Sequence, residues 1–122
     1  MEVKLVLNGG IKSCCSVTST EVVQKAVREW LPASDALVVV DKTKQPWTSE
    51  GLAAFAEQYF HDEVYPLVFL DDKLAMIGGL PSRKNLLAMT SGEMPYGLTE
   101  EDITTAAKSL GYVAEDGAAV HS

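Results

Sequence analysis

The sequence is poor in cysteine, histidine and positive charge, and it contains no long apolar run. Only two cysteines and two histidines occur among 122 residues. This excludes a disulfide framework and leaves too few ligands for an ordinary zinc site. The longest apolar runs, such as Ala36 to Val40, have five residues, whereas a membrane-spanning helix needs ~20. These shortages disfavour a disulfide-stapled secreted domain and a membrane protein.

Acidic residues outnumber basic residues by 17 to 10, which gives a net charge of −7. No local cluster of lysines and arginines offsets this charge, so counterion release would oppose binding to nucleic acid. The apolar stretch at the start, Val3 to Leu7, is too short for a signal peptide. We therefore expect a cytoplasmic protein that crosses no membrane, and the charge disfavours a nucleic-acid partner.

The periodicity of the apolar residues predicts the element order β-α-β-α-β-β-α, followed by an added helix. A first strand covers residues 3–7. A polar loop covers residues 11–20, in which Thr20 is expected to cap the first helix. The continuous apolar run from Leu37 to Val40 is typical of a strand buried on both faces. Ser49 is expected to cap the second helix.

The second half of the chain predicts a hairpin and two further helices. Residues 65–70 and 74–77 are two short apolar runs around an acidic turn, which indicates a β-hairpin. Ser82 and Thr99 are the expected caps of the third and fourth helices. This order predicts an α/β fold with a four-stranded mixed sheet and helices on both faces. We expect one domain over residues 1–92, a helical extension over 93–112 and a flexible tail over 113–122.

The two cysteines are neighbours, Cys14 and Cys15, in the loop before the first helix. They could be two small apolar residues in a turn or in the core. The N-terminus of the following helix favours the other interpretation, because its partial positive charge lowers the pKa of a nearby thiol. The pair is therefore the candidate reactive centre.

The chain resembles thioredoxin-fold proteins at three places. Cys14 and Cys15 follow the first strand, Tyr65-Pro66 precedes the third strand, and Gly78-Gly79 follows the hairpin. The resemblance implies a three-layer sandwich in which Pro66 is in the cis form and faces the cysteines.

Within that fold, residues 3–92 resemble the ArsD family of arsenical-resistance metallochaperones. The residues that carry the resemblance, besides the cysteine pair, are Gln45, Pro46, the run from Pro66 to Asp71, Met76, Gly78, Pro81, Arg83 and Leu86. The resemblance implies that Cys14 and Cys15 bind As(III), Sb(III) or another soft metal ion and pass it to a partner, such as the ATPase of an efflux pump.

The family's third cysteine is missing, since Thr20 stands where it would be. Soft thiolates are the ligands that such ions select, and the third thiolate could come from glutathione or from a second chain in a homodimer. No other cofactor is required. A weaker similarity, through Tyr65 to Val68, is to a YuzD-like family assigned to disulfide oxidoreductases, whose Cys-x-x-Cys motif is absent here.

The leading function is thus thiol-based binding and transfer of a metalloid, which is not an enzyme activity. The first alternative is a thiol-disulfide oxidoreductase or redox sensor in which Cys14, Cys15 and Pro66 form the catalytic site. A disulfide between adjacent cysteines closes a strained ring that is easily reduced. The second alternative is a non-catalytic interaction domain of the same fold.

Overall fold

The computed structural model describes residues 1–12 and 16–111. Cys14, Cys15 and the expected tail at 113–122 lie outside the described residues. The elements of the described chain are, in order, β1 (Glu2–Leu7), β2 (Ile11–Lys12), β3 (Val17–Thr18), α1 (Thr20–Trp30), β4 (Ala36–Asp41), α2 (Gly51–Phe60), a 3-10 turn (His61–Val64), β5 (Leu67–Leu70), β6 (Lys73–Met76), α3 (Arg83–Ser91) and α4 (Glu100–Ser109). Within the described ranges, no helix has the length and apolar character to cross a membrane.

Four of the strands form one open, mixed sheet in the order β4–β1–β5–β6. Strand β1 lies at its centre, parallel to β4 and antiparallel to β5, so that Val3 pairs with Leu37 on one side and with Leu70 on the other. Strands β5 and β6 pair antiparallel as a hairpin. The expected α/β class and the four-stranded mixed sheet are confirmed.

The alternation of side chains along β1 divides the core between the two faces of the sheet. Val3, Leu5 and Leu7 pack with buried residues of α1 and α3 on one face. Val6 packs with buried residues of α2 and α4 on the other face. Two helices therefore cover each face.

The fourth helix belongs to this core. Ile103 and Ala107 are buried in the same cluster as Val6 and Phe60. The helix begins with a capping box, in which the Thr99 hydroxyl accepts from the Asp102 backbone N–H and the Asp102 carboxylate accepts from the Thr99 backbone N–H. The helix of the expected extension over 93–112 therefore packs on the sheet.

Strand β4 is an edge strand, and the expectation that it is buried on both faces is wrong. Every residue of β4 before Asp41 is exposed or half-buried, and Val38 is 39% exposed. An apolar run cannot by itself distinguish a central strand from an edge strand, because the pairing partner lies elsewhere in the chain.

Local details also differ from the expectations at the loop before α1 and at two helix starts. Within residues 11–20, β2 and β3 pair with each other, and two-residue strands carry too little periodicity to detect. Ser19 caps α1 instead of Thr20, by accepting a hydrogen bond from the Val22 N–H. Ser49 does not cap α2, since its hydroxyl donates to the Glu57 carboxylate instead.

Candidate functional site

The segment that carries the cysteines comprises residues 13–16, and we call it the cysteine segment. The residues just before it and just after it lie together in the fold. Lys12 at the end of β2 pairs with Val17 at the start of β3, and Ile11 pairs with Thr18. Cys14 and Cys15 themselves lie outside the described residues. The chain on either side of them is thus held together by strand pairing, directly before the N-terminus of α1.

Gly10 allows this close approach of the two ends. Its φ is +94°, in the left-handed region, and a Cβ at this position would collide with the carbonyl oxygen of Thr18. Only glycine combines this backbone conformation with so close a contact. The backbone that precedes the cysteine segment is therefore packed directly against the backbone that follows it.

Asp41 ties the same two ends to the sheet. One carboxylate oxygen accepts from the Gly9 N–H at 3.1 Å, from the Thr43 N–H at 2.9 Å and from the Thr43 hydroxyl at 2.6 Å. The other accepts from the Thr20 hydroxyl at 2.6 Å. Gly9 precedes the cysteine segment and Thr20 follows it. Asp41 therefore fixes the position of both ends against the end of β4.

The buried Asp41 carboxylate is held in its charged form. It is 4% exposed, and burial alone would raise its pKa. The hydrogen bonds from Thr20, Thr43 and Gly9 outweigh burial and hold the pKa of Asp41 well below its ordinary value of 3.8. Each donor stabilises the anion more than the neutral acid.

Sequence reasoning did not find Asp41. The turn Asp41-Lys42-Thr43 at a strand end is a pattern in which an aspartate accepts from the backbone two residues on. That signal could have marked a local turn. It could not have identified Gly9 and Thr20, which are brought to Asp41 only by the parallel pairing of β1 with β4 and by the packing of α1.

Pro66 shares a depression with Gly10 and Ile11, which precede the cysteine segment. The peptide bond between Tyr65 and Pro66 is cis, which is the form that the resemblance implied. A depression of about 390 Å³ at this position is lined by Asn8, Gly10, Ile11, Asp62, Glu63, Tyr65, Pro66, Gly78 and Gly79. Pro66 and the Gly78-Gly79 pair thus line the same depression as Gly10 and Ile11, which precede Cys14 in the chain.

Two exposed valines and one ion pair lie next to the segment in the described chain. Val17 is 61% exposed and Val22 is 57% exposed. In the first turn of α1, the Glu21 carboxylate lies 2.8 Å from the Lys44 ammonium. The hydrogen bond and the charge of Lys44 lower the pKa of Glu21, and Glu21 in turn raises the pKa of Lys44.

Two further side chains near the sheet, Met76 and Trp47, have packing roles. Met76 is half-buried against the cluster of α1 and α3. Trp47 is half-buried against Phe69, with ring centres 6.1 Å apart, and its indole N–H is buried with no hydrogen-bond partner in the described chain. Among residues 1–12 and 16–111, no three His, Cys, Asp or Glu side chains meet as a metal-binding group.

No protein-family model, no curated protein and no solved structure matches this chain. Three features of the described chain bear on its function. These are the paired strands around the cysteine segment, the buried Asp41 that ties its two ends, and the depression beside Pro66.

Proposed function

We propose that the protein binds a trivalent metalloid, As(III) or Sb(III), through Cys14 and Cys15 and transfers it to an acceptor protein. In this proposal the fold is thioredoxin-like, of the ArsD type, with the cysteine pair between the first sheet strand and the first helix. A four-stranded mixed sheet with two helices on each face is compatible with that arrangement.

The observation that carries the proposal is the constraint on both ends of the cysteine segment. Strand pairing joins Lys12 to Val17, and Asp41 holds Gly9 and Thr20. Only four residues connect Lys12 to Val17, and two of them are the cysteines. A short connection between fixed ends has fewer conformations, which lowers the entropy lost when one ion binds both cysteines.

The chemistry of binding is ligand exchange without oxidation or reduction. Arsenite at neutral pH is As(OH)₃. Three thiols replace its three hydroxyl groups, so that three As–O bonds break, three As–S bonds form, and each thiol proton leaves with a hydroxyl group as water. Cys14 and Cys15 supply two of the thiols, and a small thiol such as glutathione or a second chain supplies the third. Soft thiolate ligands select soft ions of this kind.

Transfer requires a docking surface and reduced thiols. The exposed side chains of Val17 and Val22 lie on either side of the helix start, next to the cysteine segment. We propose that they contact the acceptor, which the resemblance implies to be the ATPase of an efflux pump. Because the cysteines act only as thiolates, we propose a cytoplasmic location, where thiols stay reduced.

The test is a titration of the fully reduced protein with arsenite, with and without glutathione, followed by near-ultraviolet absorbance of the arsenic–thiolate bonds. We expect saturable binding that is lost in both Cys14→Ser and Cys15→Ser. Val17→Ser is the matched control, because it introduces the same serine side chain beside the cysteines and leaves both thiols in place.

Two outcomes would contradict the proposal. If the serine variants bind arsenite as the unaltered protein does, the cysteine pair is not the site. If the unaltered protein does not bind, with or without glutathione, the next measurement is the reduction potential of a Cys14–Cys15 disulfide. A reversible disulfide would then support the redox alternative, and its absence would support the non-catalytic interaction domain.

A further inference from the structure

Strand β4 forms one edge of the four-stranded sheet, and this edge is unprotected. Proteins usually protect the edge of a sheet with a covering segment, a bulge, a proline or a charged side chain. Over residues 36–40, all of which the structure describes, β4 has the sequence Ala-Leu-Val-Val-Val and pairs with β1 without a bulge. The outer side of β4 is therefore able to pair with another strand.

The opposite edge of the sheet, β6, is covered. The Leu98 N–H donates to the Leu74 carbonyl oxygen at 2.8 Å, so the segment before α4 lies along the outer side of β6. In the same segment, the centre of the Tyr96 ring lies 5.6 Å from the Lys73 ammonium. The pairing of β6 with β5 also contains a register shift. Of the two edges of this sheet, β4 is therefore the open one.

The register of β4 against β1 fixes which backbone groups of β4 point outward. The N–H groups of Ala36 and Lys42 both donate to carbonyl oxygens at the two ends of β1. Because alternate residues of a strand bond to its parallel partner, positions 36, 38, 40 and 42 bond to β1. The N–H and C=O groups of Leu37 and Val39 therefore point away from the sheet.

The two ends of this outer side already have hydrogen-bond partners within the chain. Before β4, the Asp35 carbonyl oxygen accepts from the Arg28 guanidinium at 2.8 Å. At its end, the Asp41 carbonyl oxygen accepts from the N–H groups of Lys44 and Gln45 at 2.9 and 3.0 Å. Only the middle of the strand is left for a further partner.

The backbone from Leu37 to Val39 is this middle part, and we call it the free edge. Among the described residues, no group bonds to the Leu37 N–H, the Leu37 carbonyl oxygen or the Val39 N–H. The Val39 carbonyl oxygen accepts from the exposed Gln45 side-chain amide at 3.4 Å. So long and exposed a hydrogen bond is weak and easily exchanged.

The free edge is complementary to itself. When the same strand of a second copy runs antiparallel about Val38, Leu37 of each copy lies opposite Val39 of the other. The two residues of such a pair exchange both of their N–H···O=C hydrogen bonds. Val38 then lies opposite Val38 of the second copy at the two-fold axis, in a pair of the kind whose side chains approach most closely.

The side chains along this pairing bring no unpaired charges together. Val38 is 39% exposed, and the exposed Ala36 would lie opposite Val40 of the second copy, so apolar side chains meet. One position further out, Asp41 would lie opposite Asp35 of the second copy. The Asp41 carboxylate has its own hydrogen-bond donors, and the Asp35 carboxylate pairs with the amino terminus of its own chain at 3.3 Å.

We propose that the free edge of β4 binds the free edge of a second copy of this chain, in an antiparallel pair with a two-fold axis at Val38. The pairing joins two four-stranded sheets into one continuous sheet. Because β6 is covered, each copy contributes its one open edge, and the assembly closes as a dimer instead of growing into a filament. The proposal is independent of what the cysteines bind.

The first experiment is sedimentation equilibrium of the full chain, from low micromolar to near-millimolar concentration. A phosphine reductant keeps all thiols reduced, so that no disulfide can hold two copies together. We expect the mass to rise from the 13.2 kDa of one chain to twice that value and to stop there. A mass that stays at one chain, or one that grows beyond two, would overturn the proposal.

The matched variants are Val38→Lys and Leu110→Lys. Each places a lysine at an exposed apolar residue, but Val38 lies on the free edge, whereas Leu110 follows α4. We expect Val38→Lys to stay a monomer at concentrations where the unaltered protein is a dimer, because two ammonium groups would meet at the two-fold axis. Leu110→Lys leaves the dimer intact. Equal effects of the two variants would overturn the proposal.

The last experiment needs no substitution, so it does not depend on how a variant folds. Amide hydrogen exchange of the unaltered protein is measured by nuclear magnetic resonance at a low and a high protein concentration. We expect the Leu37 and Val39 N–H groups to exchange about tenfold more slowly at the high concentration. The Val38 N–H, which bonds to β1 in both states, is the internal control and should change little. A dimer without added protection at Leu37 and Val39 would pair through another surface, and this result would overturn the proposal.

Discussion

The Thr20 hydroxyl donates to the buried carboxylate of Asp41 at 2.6 Å across 21 residues of sequence. This contact joins the first residue of α1 to the last residue of β4. Together with the hydrogen bond from the Gly9 N–H to Asp41, it closes a frame around the segment that bears Cys14 and Cys15. The frame is independent of what the cysteines bind, so it can be tested through stability alone.

Asp41→Asn is expected to lower the free energy of unfolding at neutral pH by about 1–2 kcal/mol, since the charge-assisted hydrogen bonds become neutral ones. The folded-state pKa of Asp41 is below its ordinary value of 3.8. The stabilisation by the anion is therefore fully present above pH 3.8 and is lost as the pH falls further. Urea unfolding across this range should show the difference between unaltered protein and variant narrowing in acid.

Asp72→Asn is the control for this prediction. Asp72 is exposed at the hairpin turn, and its left-handed φ of 66° is one that asparagine also adopts. We expect its unfolding free energy to change by less than about 0.5 kcal/mol. A constant difference between Asp41→Asn and the unaltered protein at every pH would contradict the role of the Asp41 charge.

Gly10→Ala is expected to destabilise the protein more than Gly92→Ala does. Both glycines have a left-handed φ, +94° and +87°, but only a Cβ at Gly10 would collide with the backbone of Thr18. Gly92→Ala should therefore cost about 1 kcal/mol for the backbone conformation alone, and Gly10→Ala should cost more. Chemical denaturation measures both values. Equal costs would mean that β2 and β3 separate without penalty.

Ile103→Ala tests whether α4 is part of the core. The Ile103 side chain is buried in the cluster that contains Val6, so its truncation should cost about 2–4 kcal/mol. Leu110→Ala is the matched control, because Leu110 is 68% exposed and its loss should cost less than about 0.5 kcal/mol. A small effect of Ile103→Ala on thermal unfolding would show that residues 1–92 are stable without the last helix.

Cys14→Ser is expected to abolish arsenite binding while changing the melting temperature little. A serine in a connection between strands is nearly the size of the cysteine, so only the thiol chemistry is lost. Calorimetry on the reduced protein checks stability, and Cys15→Ser should behave alike. A large fall in melting temperature with unchanged binding would instead favour the interpretation of the pair as buried apolar residues.

The sequence determined the parts of the fold that depend on local pattern. The alternation in residues 3–7 predicts β1, and the spacing of Leu52, Phe55, Ala56 and Tyr59 predicts α2. The caps at Ser82 and Thr99 are local as well, because each hydroxyl reaches a backbone N–H three residues on. The adjacency of Cys14 and Cys15 is also visible in the sequence alone, and it is sufficient to nominate a thiol site.

Only the tertiary structure decided which distant residues meet. The edge position of β4 follows from its pairing with β1 alone, and an apolar run carries no record of its partner. Parallel strand pairing and helix packing bring remote segments together. They give Asp41 its hydrogen-bond donors Gly9 and Thr20, and they place the Lys42 ammonium above the Tyr65 ring. Hydrophobic periodicity is a local property of the chain, whereas a buried carboxylate or a groove is the product of contacts between segments far apart in sequence.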